Sequence, residues 1–345
     1  MSLPATVNRN KVLGDFELPP AHPAITQTGP DKSPFENEGF VVQGSVSSGV
    51  FDLQEREDYC ARYRLKPFDS ERIERRKTYD LLLVNTELEM LEIRLGEMYP
   101  YVDYFVILEA DRSFSGIPKK LYIEENWQLF SKYHDKMIRR TVDFSSVKEG
   151  DNAWVLEKLS RNAMVNQVLP FLTGDQAPHE DDILLVSDVD EIPKPPVLQA
   201  LRNCEVPPRI TINSEFYYYS FQWLSREEWM HPQATIWKGN DTVKPEELRH
   251  HAGDYHFKRG AWHCSYCFST MEETVGKVKS FSHQEFNKPE FKDPAKILQR
   301  VRFGTDFFDR KTSVYDYVRN NQDRPLNANY LDIPEDGNVD DVSFG

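Results

Sequence analysis

Four apolar residues, Ile183-Leu184-Leu185-Val186, run straight into Ser187-Asp188-Val189-Asp190-Glu191-Ile192-Pro193. No other stretch of the chain constrains its fold as tightly. The apolar run is short enough for a strand buried on both faces. Pro193 lacks an amide donor and disfavours helix just before it, so the strand ends in a turn. Asp188, Asp190 and Glu191 then lie just past the carboxyl end of a central strand, where open α/β sheets place their ligand crevice. Three carboxylates within four residues repel one another unless a cation or donor hydrogens offset their charge. Magnesium and manganese accept such oxygen ligands, retain waters and bind substrate phosphates as well. The plain alternative is a polar turn with one helix cap, although turn acids seldom follow so apolar a run.

The flanking pattern alternates strand with helix. Leu81-Leu82-Leu83-Val84 reads as a buried strand. Thr86-Glu87-Leu88-Glu89 has the form of a capping box, and Leu88, Leu91, Leu95 and Met98 then share one helical stripe. Tyr104 to Leu108 is a second strand ending at Glu109, and Met137 to Val142 a third. Trp154 to Leu169 has helical spacing and stops at Pro170. Pro195 to Asn203 reads as a short helix, and Arg209 to Tyr219 as a long strand. Such alternation predicts an α/β fold with a mainly parallel central sheet and helices on both faces. Beyond Tyr219 the chain is irregular and rich in aromatic residues, among them Phe221, Trp223, Trp229, Trp237 and Trp262. Flat rings suit sugar faces and suit an ordinary core equally. Ser269 or Thr270 can cap a helix in which Met271, Val275 and Val278 share a face. Residues 1–76 read as a proline-rich arm and a charged lead-in, 77–320 as the folded domain, and 321–345 as a polar, acidic tail.

Several functions are excluded. A net charge of −14, with no long basic run, argues against nucleic acid as a partner. No stretch is long and apolar enough to span a membrane. Asn240-Asp241-Thr242 fits the N-glycosylation pattern and permits a secretory route. Cys60, Cys204, Cys264 and Cys267 fit reduced core thiols or one disulfide. A single CxxC falls short of the four ligands of a structural zinc site.

Three stretches together resemble glycosyltransferase family 17: Tyr79–Leu95, Asp188–Pro193, and Gly260–Phe268 with Lys277–His283 behind it. The resemblance runs from about Tyr79 to Asp309. Animal members of that family are β-1,4-mannosyl-glycoprotein N-acetylglucosaminyltransferases. The resemblance implies a GT-A fold, with residues 77–320 as its catalytic domain. It also implies a UDP-sugar donor such as UDP-N-acetylglucosamine, a glycan or glycoprotein acceptor, Mn2+ (or Mg2+), inversion, and the Golgi lumen. Carried over, Asp190 binds the metal, Asp188 contacts ribose or a metal-bound water, and His263 completes the metal or diphosphate site. Asn85 and Glu109 fall at strand ends where a GT-A nucleotide pocket lies. Arg161, seven residues after Trp154, reaches the diphosphate. The segment between Trp223 and Gly260 departs from the animal enzymes.

Glycosyl transfer needs a neutralised leaving diphosphate, a base for the acceptor hydroxyl, and in-line placement. Asp188 and Asp190 answer the first need, with Lys279 and His283 adding positive or donor character. For the base the sequence offers Glu273 first, then Asp309, Asp254 and Glu191. Capping by Ser269 or Thr270 explains Glu273 without catalysis, and a loop-to-helix role explains Asp309. Two other functions suit the same residues: a carbohydrate-binding module built on the aromatic rings, and a metal-dependent phosphate-ester hydrolase built on the clustered acids.

Overall fold

The protein is seen in a computed structural model that describes residues 49–68, 73, 76–310, 315–318 and 324–325. The proline-rich stretch through residue 48 and nearly all of the acidic tail lie outside the described residues. Helix α1 (Leu53–Arg62) is followed by β1 (Thr78–Leu83), α2 (Leu88–Met98), β2 (Tyr104–Glu109), α3 (Tyr122–Glu125), β3 (Met137–Thr141) and α4 (Ala153–Ala163). Then come β4 (Ile183–Asp188), β5 (Glu191–Pro193), α5 (Pro195–Asn203), β6 (Ile210–Tyr218), β7 (Ser220–Ser225) and β8 (Gln233–Ile236). Last are α6 (Pro245–His250), β9 (Tyr255–Ser265), α7 (Met271–Ser280), α8 (Pro294–Phe303) and β10 (Tyr315–Tyr317).

The strands form one sheet in the order β3-β2-β1-β4-β8-β6-β7-β10, with β9 lying along β6 and β5 pairing with β9. From β3 to β4 every pairing is parallel, as the alternating pattern predicts. Beyond β4 the sheet is mostly antiparallel, through β8, β6, β7 and β10. The cause is the connections. Helical crossovers return a strand parallel, whereas β6 and β7 are joined by Tyr219 alone, at φ +65°. The fold is mixed α/β with helices on both faces.

Alternation along the parallel strands fills the two faces separately. Leu82, Phe105, Ile107, Ile183 and Leu185 pack with α2 and α5. Leu81, Val106, Leu108, Leu184 and Val186 pack on the other face, with Ala163 of α4, Val165 and Val168 of the turn that continues it, and Leu248 of α6. The apolar run of β4 is thus covered on both sides, all four residues being fully buried. The stripe of α2 is buried through Leu91, Leu95 and Met98. Its start differs from expectation: Thr86 and Glu89 do not form a capping box. Glu87 occupies the N-cap, and its carboxylate accepts from the amides of Asn85 and Thr86.

The charged lead-in contains an ordered helix. Asp52 and Glu55 form a capping box at the start of α1, and Cys60 is disulfide-bonded to Cys204 at the end of α5. Cys264 and Cys267 form a second bridge, so all four cysteines are paired, one disulfide more than the sequence suggests. A CxxC pair closed on itself has no thiolates to offer zinc.

Candidate functional site

Register sets three sequence-predicted residues side by side. Leu83 of β1 pairs with Leu108 of β2 and with Asp188 of β4. Asn85, Glu109 and Asp188 therefore stand along the carboxyl ends of three adjacent parallel strands. The chain runs from β1 outward to β2 and β3, then returns to the opposite side of β1 as β4. That reversal is the switch point at which doubly wound sheets bind ligands. A cavity of about 540 Å³ opens there, lined by all three residues together with Arg161, Asp190, His263 and Lys277.

The acidic turn is neutralised by cations from three helices. Asp188 accepts from Arg161 of α4 at 2.8 Å and from Arg249 of α6 at 2.9 Å, one arginine on each oxygen. Burial works against its charge, but the two guanidiniums hold its pKa well below the carboxylate range. Asp190 faces Lys277 of α7 at 3.0 Å and the His263 ring at 3.7 Å. Burial again opposes ionisation, and Lys277 first, then His263, outweigh it, so Asp190 is a carboxylate at any physiological pH. Glu191 is fully buried. It accepts from the Asp188 amide (2.9 Å), from the Trp229 indole (2.8 Å) and from Arg249. Both of its oxygens are thereby engaged in holding the turn.

His263 arrives on β9, directly opposite Glu191 in the β5–β9 pairing. Its ring stacks on Phe216 at 4.8 Å and lies 5.2 Å from Trp229, giving the cavity an aromatic wall. His231, after Trp229, also lines the cavity; with its Nδ1–H donating to the Gln233 side-chain oxygen at 2.8 Å, Nε2 is the proton acceptor of the neutral ring. Burial, with Arg249 adding to it, lowers its pKa to about 4, so it is neutral at pH 7.

The residues present suit a hard divalent ion. Among the described residues, no group of three or more His, Cys, Asp or Glu side chains converges as a ready-made cage. Magnesium and manganese seldom use one; a carboxylate or two, waters and substrate phosphates suffice. Asp190 and His263 offer a carboxylate and an imidazole side by side, and His263 Nδ1 is a buried polar atom with no hydrogen-bond partner among the described residues. Asp188, with both oxygens engaged by arginines, is the less available ligand.

Other predicted residues take different places. Arg161 is buried and bridges Glu157 to Asp188. Trp154 lines the cavity edge-on to His283, at 4.9 Å. Asn85 donates to Ser280 at 3.3 Å. Glu109 lines the cavity, but both its oxygens accept amides at the start of α3, Ile123 at 2.6 Å and Glu124 at 3.1 Å. Lys279 is exposed and outside the cavity lining, about 200° around α7 from Lys277. The predicted bases fare worst. Glu273 forms the capping box of α7 with Thr270 and does not line the cavity. Asp309 is exposed and paired in both oxygens with Arg300. Asp254 is exposed on the approach to β9. Lys277, Arg249 and His231 are the site residues that sequence reasoning missed. Lys277 had a signal: three residues after Thr274 and next to Val278, it falls on the buried stripe of α7, as Lys279 does not.

Three comparisons bear on what this site belongs to. The model of the family described as glycosyltransferase family 17 matches residues 52–329, so the match includes α1, ahead of where the sequence resemblance begins. No curated protein sequence matches the chain. Among solved structures, a mannosyltransferase from Pyrobaculum calidifontis in complex with GDP-Man and Mn2+ is similar at 8% identity and a TM-score of 0.32. The similarity covers 72% of this chain and 76% of that one.

Proposed function

The chain belongs to glycosyltransferase family 17, and from that premise we propose that it transfers N-acetylglucosamine, with inversion, from UDP-N-acetylglucosamine to a mannose-containing N-glycan or related glycan. The observation that best supports this reading is the cavity at the switch point. There Asp188 and Asp190 meet Arg161, Arg249 and Lys277. A diphosphate needs cationic donors, and three helices bring Arg161, Arg249 and Lys277 to this edge of the sheet, where the carboxylates they pair with could pass to a divalent ion. A divalent ion, manganese or magnesium, would be held by Asp190 and His263 with Asp188 beside them, and would neutralise the leaving diphosphate as a Lewis acid.

In this reading Lys277 and the two arginines orient the diphosphate. The aromatic wall of Phe216, Trp229 and His263 offers flat apolar surface to a sugar face. The acceptor oxygen bonds to the anomeric carbon as the bond to the diphosphate oxygen breaks, and UDP leaves. One in-line displacement inverts the centre and forms no sugar–enzyme adduct. The acceptor proton passes to His231, which lines the cavity and is neutral at pH 7. Golgi lumen is the proposed location, and the two disulfides support an oxidising compartment. The test is release of UDP from a panel of UDP-sugars, with manganese and a biantennary N-glycan. Preferred release from UDP-N-acetylglucosamine is expected. Preference for another sugar would reassign the donor.

A further inference from the structure

Arg94 lies beneath the switch point with no solvent exposure. It comes from the sheet-facing side of α2, and all five of its N–H donors are used. Nε and Nη2 donate to the two oxygens of Asp80 on β1, at 2.8 and 2.6 Å. Nη2 also donates to the Ser187 hydroxyl at 2.6 Å. Nη1 reaches two main-chain carbonyls, that of Asp188 at 3.3 Å and that of Glu191 at 2.5 Å. Those carbonyls are the first and last of the acidic turn. One planar guanidinium thus ties the end of β4, the start of β5 and the neighbouring strand β1 to a single point.

A buried ion pair is poor evidence for stability, because apolar residues of similar volume often serve as well. What apolar residues could not do here is satisfy two carbonyls and set the distance between them. Lysine could not either, having one terminal nitrogen without the fork. On the opposite side the turn is held by Glu191, which accepts from the Asp188 amide and from Arg249. We propose that Arg94 is a positioning residue, which fixes the turn from Asp188 to Glu191 so that the Asp190 carboxylate stays aimed into the donor cavity. The inference rests on the proposed function, because the turn it fixes is the one assigned to the donor. Arg94 itself does not line the cavity and touches no substrate.

The test uses Arg94→Lys, which keeps a cation for Asp80 and gives up the fork. Amide hydrogen exchange at Val189 to Ile192 should accelerate at least tenfold, while Leu81 and Val106, in the neighbouring strands, exchange as before. kcat/KM for the donor should fall at least tenfold, with the acceptor KM within twofold of wild type. An equal acceleration in β1, β2 and the turn would reduce Arg94 to a stabilising role and overturn the inference. An unchanged donor kcat/KM would overturn it too. If Arg94→Lys does not fold, Asp80→Leu with Arg94→Met leaves no unpaired charge and undergoes the same measurements. Should the wild-type protein transfer no sugar from any donor, the proposed function fails. The exchange pattern alone then decides whether Arg94 fixes the turn.

Discussion

The Cys60–Cys204 bridge permits a worked prediction. It joins the last turn of α1 to the residue after α5, across a sequence separation of 144. Closing a loop of that length removes about 17 cal/mol/K of chain entropy from the unfolded state in the polymer model, or about 5 kcal/mol at 25 °C. Replacing both cysteines with alanine should therefore destabilise the domain by about 5 kcal/mol through the unfolded chain. Both cysteines are fully buried, so the small cavity left by the two sulfurs adds to that loss. In a domain of this size each kcal/mol moves Tm by about 2 °C, which gives a fall of about 10 °C. The assay is thermal and urea unfolding of Cys60→Ala/Cys204→Ala beside wild type, with thiol alkylation under non-reducing conditions to count free cysteines. Wild type should show none, and the variant should keep its Cys264–Cys267 bridge. A Tm within about 2 °C of wild type would refute the reasoning, since α1 and α5 would then be tied by packing alone.

Three further outcomes follow from the site. Asp190→Asn should weaken manganese-dependent UDP binding at least tenfold by calorimetry and abolish turnover. The fold should survive, because Lys277 keeps the Tyr266 and Phe268 rings at 5.3 and 5.4 Å. Unchanged titration would refute the metal assignment. Glu273→Gln should retain most of its turnover, as befits a helix cap, at a cost of about 1 kcal/mol in stability; loss of turnover with normal UDP binding would restore it as the base. The pH profile tests His231. A base acts when deprotonated, and its pKa lies lowered to about 4, so kcat/KM should rise through about pH 4 and be level near 6.5. An acid limb centred near 6.5, or one that persists in His231→Gln, would remove it from the mechanism.

What could be read from the sequence was whatever depended on neighbouring residues. The apolar run of β4 and the acids behind it carry both burial and charge within a few positions, so strand, turn and crevice all followed. α5 was bounded by Pro195 and by Asn203, and both limits hold. What depended on distant pairing was hidden. Arg249 and Lys277 meet the acids of the turn from helices beyond β8 and β9; nothing local marks Arg249 for it, and the place of Lys277 on the buried stripe of α7 does not say which acid it meets. The bridge from Cys60 to Cys204 is equally non-local. The β6–β7 hairpin turns on Tyr219 adopting a positive φ, which tyrosine's chemistry does not advertise. Glu273 and Asp190 are both acids beside possible partners. Only the fold separates the one that caps a helix from the one that faces a cavity.

The most direct test of the account is the product itself. The protein is incubated with UDP-N-acetylglucosamine, manganese and a biantennary N-glycan, and the new glycosidic bond is read by NMR. One N-acetylglucosamine should be added in β-linkage, with one UDP released for each sugar transferred. An α-linked product would contradict the single displacement, and UDP release without any glycosylated product would contradict transfer.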